Sequence, residues 1–354
     1  MNNIALLGFG TVGKGVFELL KDRRDVSITR VLDLPTKKEE LGSLYSTKEE
    51  ILQDENISTI IECMGGDTLA YEIIKEGLTR GKNVITSNKE TVSLHFEEYL
   101  SLAQEHHCCF RFEASVGGGI PLLDPAYQIS CFDQVERIEG ILNGTTNFIL
   151  SKMQKENLSF QESLKLAQEK GFAERDPSAD LQGLDMVRKG VILSSLCYHK
   201  EIHNEDVIHF GIEHIDLDLI HDIQKRGKVL RFLMLSSYQE KLSLQVIPAL
   251  LSPSHPLSQI QEEYNGVTLY CKNNSLVTLS GKGAGRYPTA SAILQDLNHI
   301  LEGAAPFRRE KVSLLKNEVD MSGDYYVYDG KESKILSSPS FNTLSSYPFV
   351  AKIL

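Results

Sequence analysis

Two kinds of apolar pattern alternate along the first third of the chain. Short apolar runs at Ile4–Leu7, Ser27–Leu32, Ile57–Glu62, Asn83–Thr86 and Cys108–Phe112 predict strands. Between them, apolar residues at helical spacing predict helices over Val12–Leu20, Asp67–Thr79 and Thr91–Glu105, the last ending near His106–His107. Strand and helix in alternation predict a parallel, doubly wound α/β sheet of the Rossmann type. Functional loops of such a sheet lie at the carboxyl ends of its strands.

After Phe112 the rhythm changes. A strand is predicted over Gln134–Leu142, then a helix opened by Asn143–Asn147 and running through Met153. Helices follow over Gln161–Glu169 and Gly183–Cys197, then a polar region at 199–226. Strands are predicted over Lys228–Ser236, Leu242–Pro248, Val267–Tyr270 and Leu276–Leu279. This reads as a second, mixed α/β domain. The Gly281–Gly285 turn and a helix over Thr289–Leu301 read as the chain returning to the first domain. The expected layout is residues 1–130, completed by 283–310, as the nucleotide-binding domain, and 131–282 as the second. Residues 311–354 form a Ser- and Tyr-rich tail without an assigned structure, apart from a short strand at Tyr325–Tyr328.

The 354 residues provide ample core for two domains. A net charge of −11 argues against a nucleic-acid surface. No apolar run approaches the ~20 residues that span a bilayer, and no basic, cleavable leader opens the chain, so a cytoplasmic protein with no membrane partner is expected. The six cysteines form no CxxC pair, and the ten histidines form no HExxH spacing.

Candidate chemistry begins at Gly8-Phe9-Gly10-Thr11-Val12-Gly13, between a strand and a helix. In that context GxGxxG binds a dinucleotide: Gly8 makes the tight turn, Gly10 admits the pyrophosphate and Gly13 allows close helix packing. Asp33 ends the second strand, where an acid accepts hydrogen bonds from the adenosine ribose; a turn residue before Pro35 is the other reading. Cys63–Gly66 and Ser87–Lys89 follow the next two strands, so Lys89 either reaches a cofactor or substrate anion or is simply solvated. The glycine-rich stretch Glu113–Pro121 suits a carbonyl-lined ion site or a hinge. Glu174, Asp176, Asp180 and Asp185 crowd one segment, and Lys189 follows Asp185 by four residues, on the same helix face. That pair is either a solvated salt bridge or a proton-moving lysine beside an acidic loop that holds a substrate ammonium.

Seven blocks together resemble the homoserine dehydrogenase family over about residues 1 to 305: GFGTVG at 8–13, ECMGG at 62–66, SNKE at 87–90, EASVGGGIP at 113–121, GILNGTTNFIL at 140–150, AERDPSADLQGLDMVRK at 173–189 and GAGRYPTASA at 283–292. The resemblance implies reversible, NAD(P)-dependent conversion of L-aspartate 4-semialdehyde and L-homoserine. It implies a homodimer, or a dimer of dimers, formed through the sheet of the second domain. By motif position it makes Lys189 the catalytic lysine with Asp185 its neighbour. Glu174 then binds the substrate amino group and Asp180 shares that polar site. Gly144, Thr145 and Lys89 line the substrate and nicotinamide, and Ser87 and Gly285 lie near the cofactor. Glu113 with the carbonyls around Val116, Gly118 and Ile120 matches a structural site for a monovalent cation, usually sodium.

Three departures matter. Asp33 stands where many members carry an arginine for the 2′-phosphate of NADP, which points to NAD, although Lys37 and Lys38 lie close. Phe172 stands where a tyrosine is frequent. The chain beyond Leu301 is too short for the regulatory ACT-type domain of longer members, so insensitivity to threonine is expected. The 173–189 block argues against another Rossmann amino-acid dehydrogenase, and intact Lys189, Asp185, Glu174 and Lys89 argue against a non-catalytic dinucleotide-binding regulator.

Overall fold

The computed structural model describes residues 1–307 and 313–354. Residues 308–312, where the first domain's return was expected to end and the tail to begin, lie outside the described residues. The chain divides into two compact units: Met1–Tyr127, His199–Glu201 and Ala284–Ser313 form the first, and Gln128–Tyr198, Ile202–Gly283 and Leu314–Leu354 the second.

The first unit is a parallel sheet of β1 (Asn2–Leu7), β2 (Val26–Leu32), β3 (Ile57–Glu62), β4 (Asn83–Thr86) and β5 (Phe110–Arg111), in the order β2-β1-β3-β4-β5. Residues Ile4–Leu7 of the interior strand β1 are fully buried, as a strand covered on both faces requires. The strand order reverses between β1 and β3, so the crevice of the fold opens beyond their carboxyl ends. The strand expected at Cys108–Phe112 shrinks to β5, because only Phe110 and Arg111 find partners on β4. The helices Thr11–Leu20 and Arg286–Leu301 cross closely at Gly15, where a Cβ would lie 2.9 Å from the carbonyl oxygen of Arg286. The returning segment thus completes the apolar core with Ala290, Ile293 and Leu297.

The second unit holds one large sheet. Its strands are β6 (Val135–Ile141), β7 (Ile208–His209), β8 (Val229–Tyr238), β9 (Leu242–Leu251), β10 (Tyr264–Cys271), β11 (Ser275–Lys282), β12 (Asp324–Tyr328), β13 (Ser333–Ser337) and β14 (Phe349–Ile353). Their order is β11-β10-β6-β8-β9-β14-β12-β13, with β7 also on β9. The tail is therefore sheet, joined through β14, which runs parallel to β9. Tyr325 and Val327 of β12 enter the core with Leu233, Ile247 and Leu344.

The helix Leu184–Tyr198 lies directly on β8: a Cβ at Gly190 would come within 2.7 Å of Met234. Most of its residues are buried, so it is a core helix rather than an amphipathic surface one. The polar region at 199–226 hides a helix, Leu217–Lys225, capped by Asp216, which takes the N–H of Leu219 at 2.7 Å. Among the described residues no helix is long and apolar enough to cross a membrane.

Candidate functional site

In the first unit the glycine turn behaves as its spacing implies. Gly8 has φ +89°, and a Cβ there would sit 2.7 Å from the carbonyl oxygen of Cys63. A Cβ on Gly13 would stand 1.9 Å from the carbonyl oxygen of Gly8. A Cβ on Gly10 would meet nothing within 4 Å beyond its chain neighbours, leaving the open approach that a pyrophosphate needs. The helix Thr11–Leu20 starts at Gly10 with no side-chain cap, so its first N–H groups and positive dipole end are available to an anion. The residues at hand therefore fit a dinucleotide.

Asp33 is half-buried at the end of β2 and ties that end to the turn. Its carboxylate accepts the N–H of Phe9 and, at 2.6 Å, that of Leu34. A carboxylate offers about four acceptor sites, so capacity for ribose hydroxyls remains. Both readings of Asp33, turn residue and ribose acceptor, are thus compatible. Lys37 is engaged elsewhere: its Nζ lies 2.6 Å from Glu40, which also takes Lys14 at 2.8 Å. These two ammonium groups hold the Glu40 carboxyl down to about 2. Lys38 lies 5.8 Å from the centre of the Tyr45 ring.

Ser87 follows β4 and donates its N–H to the carbonyl of Glu62 at 3.2 Å. Lys89 is the first residue of the helix Lys89–Glu105, which Asn88 caps. Gly285, with φ +126°, caps Arg286–Leu301.

Glu113 is buried, and its carboxylate is spent on protein. It accepts the N–H groups of Leu122 and Leu123 at 2.5 and 2.8 Å and of Asp124 at 2.8 Å, capping the helix Leu123–Phe132. Burial nonetheless pushes that carboxyl up. Among the described residues no hydrogen bond reaches the carbonyls of Val116, Gly118 or Ile120. With the Glu113 carboxylate turned to the helix, carbonyl oxygens are the acceptors this stretch leaves to a cation. No three His, Cys, Asp or Glu side chains among the described residues converge on a metal position.

In the second unit a buried ionic cluster forms where β6 ends against two helices. Lys189 Nζ donates to Asp185 Oδ2 at 2.8 Å and to the carbonyl of Leu142 at 2.7 Å. The side chains of Lys189 and Asp185 are only 11% and 5% exposed, which rules out the solvated salt bridge. Asn143 Nδ2 bridges Asp180 Oδ1 at 2.7 Å and Asp185 Oδ2 at 2.9 Å, while its Oδ1 caps Gly144–Glu156 through the N–H of Thr146. Thr145 Oγ1 donates to the carbonyl of Phe172 at 2.6 Å. Gly144 lies so close to Glu263 that a Cβ would come 2.8 Å from its carbonyl oxygen. Burial and the neighbouring Asp185 carboxylate push the Asp180 carboxyl up, against the pull of Asn143 and Lys189. Two carboxyl groups set side by side attract positive charge.

Lys189, Asp185, Asp180 and Thr145 thus meet within one neighbourhood, with Asn143 joining the carboxylates. From the sequence Asn143 reads only as the opening of the helix, an N-cap signal that does not show its side chain joining the two acids. Glu174 is exposed on the loop after Phe160–Glu169, and no hydrogen bond among the described residues joins its side chain to the cluster.

A glycine turn at the switch point of a parallel sheet, on a chain that also buries a lysine between a carboxylate and a main-chain carbonyl, defines a dinucleotide-dependent oxidoreductase. The comparisons agree and narrow it. The model of the homoserine dehydrogenase NAD-binding domain matches residues 8–113, and that of homoserine dehydrogenase matches residues 121–297. The chain belongs to the homoserine dehydrogenase family. It is 36% identical over 314 residues to the homoserine dehydrogenase of Bacillus subtilis, covering 84% of this chain and 72% of that one. A crystal structure of a homoserine dehydrogenase from Thiobacillus denitrificans superposes with a TM-score of 0.85 at 27% identity, covering 92% of this chain and 82% of that one. A hyperthermophilic archaeal homoserine dehydrogenase in complex with NADPH matches with a TM-score of 0.74 at 25% identity, covering 87% and 99%. The chain is an NAD(P)-dependent oxidoreductase of amino-acid biosynthesis acting on a small molecule.

Proposed function

We propose that the chain interconverts L-aspartate 4-semialdehyde and L-homoserine, with Lys189 moving the proton. The observation that carries this is Lys189 itself: a nearly buried ammonium held between Asp185 and a main-chain carbonyl. The nicotinamide cofactor supplies or accepts the hydride. Lys189 gives a proton to the carbonyl oxygen as it gains charge, and in reverse takes the hydroxyl proton. Asp185 orients the ammonium of Lys189. Asn143 holds Asp180 and Asp185 side by side, so the substrate ammonium balances the second acid. Glu174 adds to that attraction from its loop, and Lys89, Gly144 and Thr145 line the reacting groups.

Gly8, Phe9, Gly10, Thr11, Val12 and Gly13 receive the pyrophosphate, with Ser87 and Gly285 nearby. Asp33 favours NAD, since its charge opposes a 2′-phosphate and Lys37 is already paired with Glu40. The NADPH bound by the archaeal neighbour supports the other cofactor. The carbonyls of Glu113, Val116, Gly118 and Ile120 would hold a structural sodium ion. A homodimer, or a dimer of dimers, in the cytoplasm completes the reading; six free cysteines are in keeping with a reducing compartment.

The test is the absorbance of NADH and of NADPH on addition of aspartate semialdehyde. Oxidation of NADH at the higher kcat/KM is expected. Oxidation of neither cofactor overturns the activity, and a preference for NADPH overturns the role given to Asp33.

A further inference from the structure

Glu62 ends β3, is fully buried, and takes no part in the roles above. A carboxyl group in such surroundings is costly unless its lone pairs are met. An apolar side chain would fill the same strand end without that cost. Its hydrogen bonds indicate what the acid secures. Oε1 accepts the N–H of Met64 at 2.6 Å, and Oε2 accepts the hydroxyl of Thr86. Thr86 Oγ1 in turn accepts the N–H of Asn88 at 2.9 Å. Asn88 Nδ2 donates to the carbonyl of Gly66 at 2.6 Å, while its Oδ1 accepts the N–H groups of Glu90 and Thr91 at the start of the helix. One carboxyl group thereby closes a ring through both polar loops at the carboxyl edge of the sheet. The same loops touch the glycine turn, since the carbonyl of Cys63 is what a Cβ on Gly8 would meet.

We propose that Glu62 is a positioning residue of the dehydrogenase: through Thr86 and Asn88 it fixes where the helix opening with Lys89 begins, and so where the Lys89 ammonium stands at the cofactor edge of the sheet. This rests on Lys89 lining the reacting groups. Main-chain bonds from Ser87 to Glu62 and from Cys63 to Leu7 also tie these loops to the sheet, but neither reaches Asn88 or the start of the helix.

The ring carries a titration. Burial pushes the Glu62 carboxyl up to about 7, against the pull of Thr86, Met64 and Asn88. Ionised, Glu62 accepts from all of its donors. Protonated, one oxygen must donate, and a partner loses its acceptor. Interacting with it are the Cys63 thiol on its own loop and, from Lys89–Glu105, the phenol of Tyr99, on which Asp67 and Glu98 also act, with His95 bonded to Asp67. Burial holds Cys63 and Tyr99 in their neutral forms far above neutral pH.

Glu62→Gln keeps an acceptor for Met64 and carries no charge, so it imitates the protonated acid; Glu62→Ala opens the ring. The measurement is kcat and KM for aspartate semialdehyde from about pH 6 to about pH 8.5 in both variants, with NADH binding followed by fluorescence. The ratio of wild-type to Glu62→Gln kcat cancels titrations common to the two. It should start near one and rise about threefold through neutral pH, with KM little changed, while Glu62→Ala loses about tenfold in kcat, the order seen when a supporting partner of a reactive group is removed. A flat ratio overturns the proposal, as does Glu62→Ala with wild-type kcat. If Glu62→Ala does not fold, the ratio decides alone. Lys89→Ala, assayed beside them, separates the two levels. Full turnover there overturns the role of Lys89 and this proposal together; lost turnover with a flat Glu62 ratio overturns this proposal alone.

Discussion

Around the glycine turn of the first unit, main chain does the shaping. A Cβ on Gly13 would press on the carbonyl of Gly8, and a Cβ on Gly8 on that of Cys63, so room and free N–H groups are what the region offers. Around Lys189 in the second unit, side chains do it: one ammonium, two carboxyl groups and a carboxamide lie within hydrogen-bond reach. A main-chain site resists pH and tolerates changes of charge, but fails at one added methyl group. A side-chain site tolerates small steric changes, yet depends on which protons are present. On the proposed reading, the constant phosphates of the cofactor are met with geometry and the reacting oxygen with a titratable group.

Substitutions can break this contrast in either region. Lys189→Ala should lower kcat about 10²–10⁴-fold, the usual cost of a lost general acid, as read by NADH oxidation. It also leaves Asp185 and Asp180 facing each other, so a lower Tm should accompany the kinetic loss. A variant turning over at the wild-type rate would remove Lys189 from the chemistry. Gly13→Ala should act in the opposite sense. Forcing the turn apart costs about 1–3 kcal/mol by overpacking, and NADH affinity should fall with kcat at saturation far less affected. Asp33→Arg is gentler. It should shift the ratio of kcat/KM toward NADPH by about tenfold, some 1.4 kcal/mol, with homoserine KM unchanged. An unchanged ratio would show that Asp33 serves only to tie β2 to Phe9 and Leu34.

How much of this was readable in the chain follows from the same contrast. The glycine turn was legible because its steric demands act within six residues. Asp185 and Lys189 were legible as a pair because a helix puts positions four apart on one face. What raised that pair above a surface salt bridge was not legible. The carbonyl of Leu142 and the carboxamide of Asn143 arrive from more than forty residues away, and burial comes from β8 beneath the helix. The Glu62 ring was hidden for a similar reason, since its members belong to two strands and a helix cap. The helix Leu217–Lys225 escaped notice because its short apolar stripe, Leu219, Ile220 and Ile223, is set among acids. In the tail only the strand at Tyr325–Tyr328 was legible, and β12 bears it out; the rest was not, because β14 pairs with β9 across about a hundred positions of sequence, a long-range pairing that local pattern does not encode.

The central claim is that recognition of the cofactor and movement of the proton are carried by different regions of the molecule. A fluorescence titration of NADH into Lys189→Ala tests it most directly. The account predicts a Kd within about twofold of wild type in a variant that has lost turnover, the signature of an interaction made only in the transition state. A Kd that rises in step with the fall in kcat would contradict it.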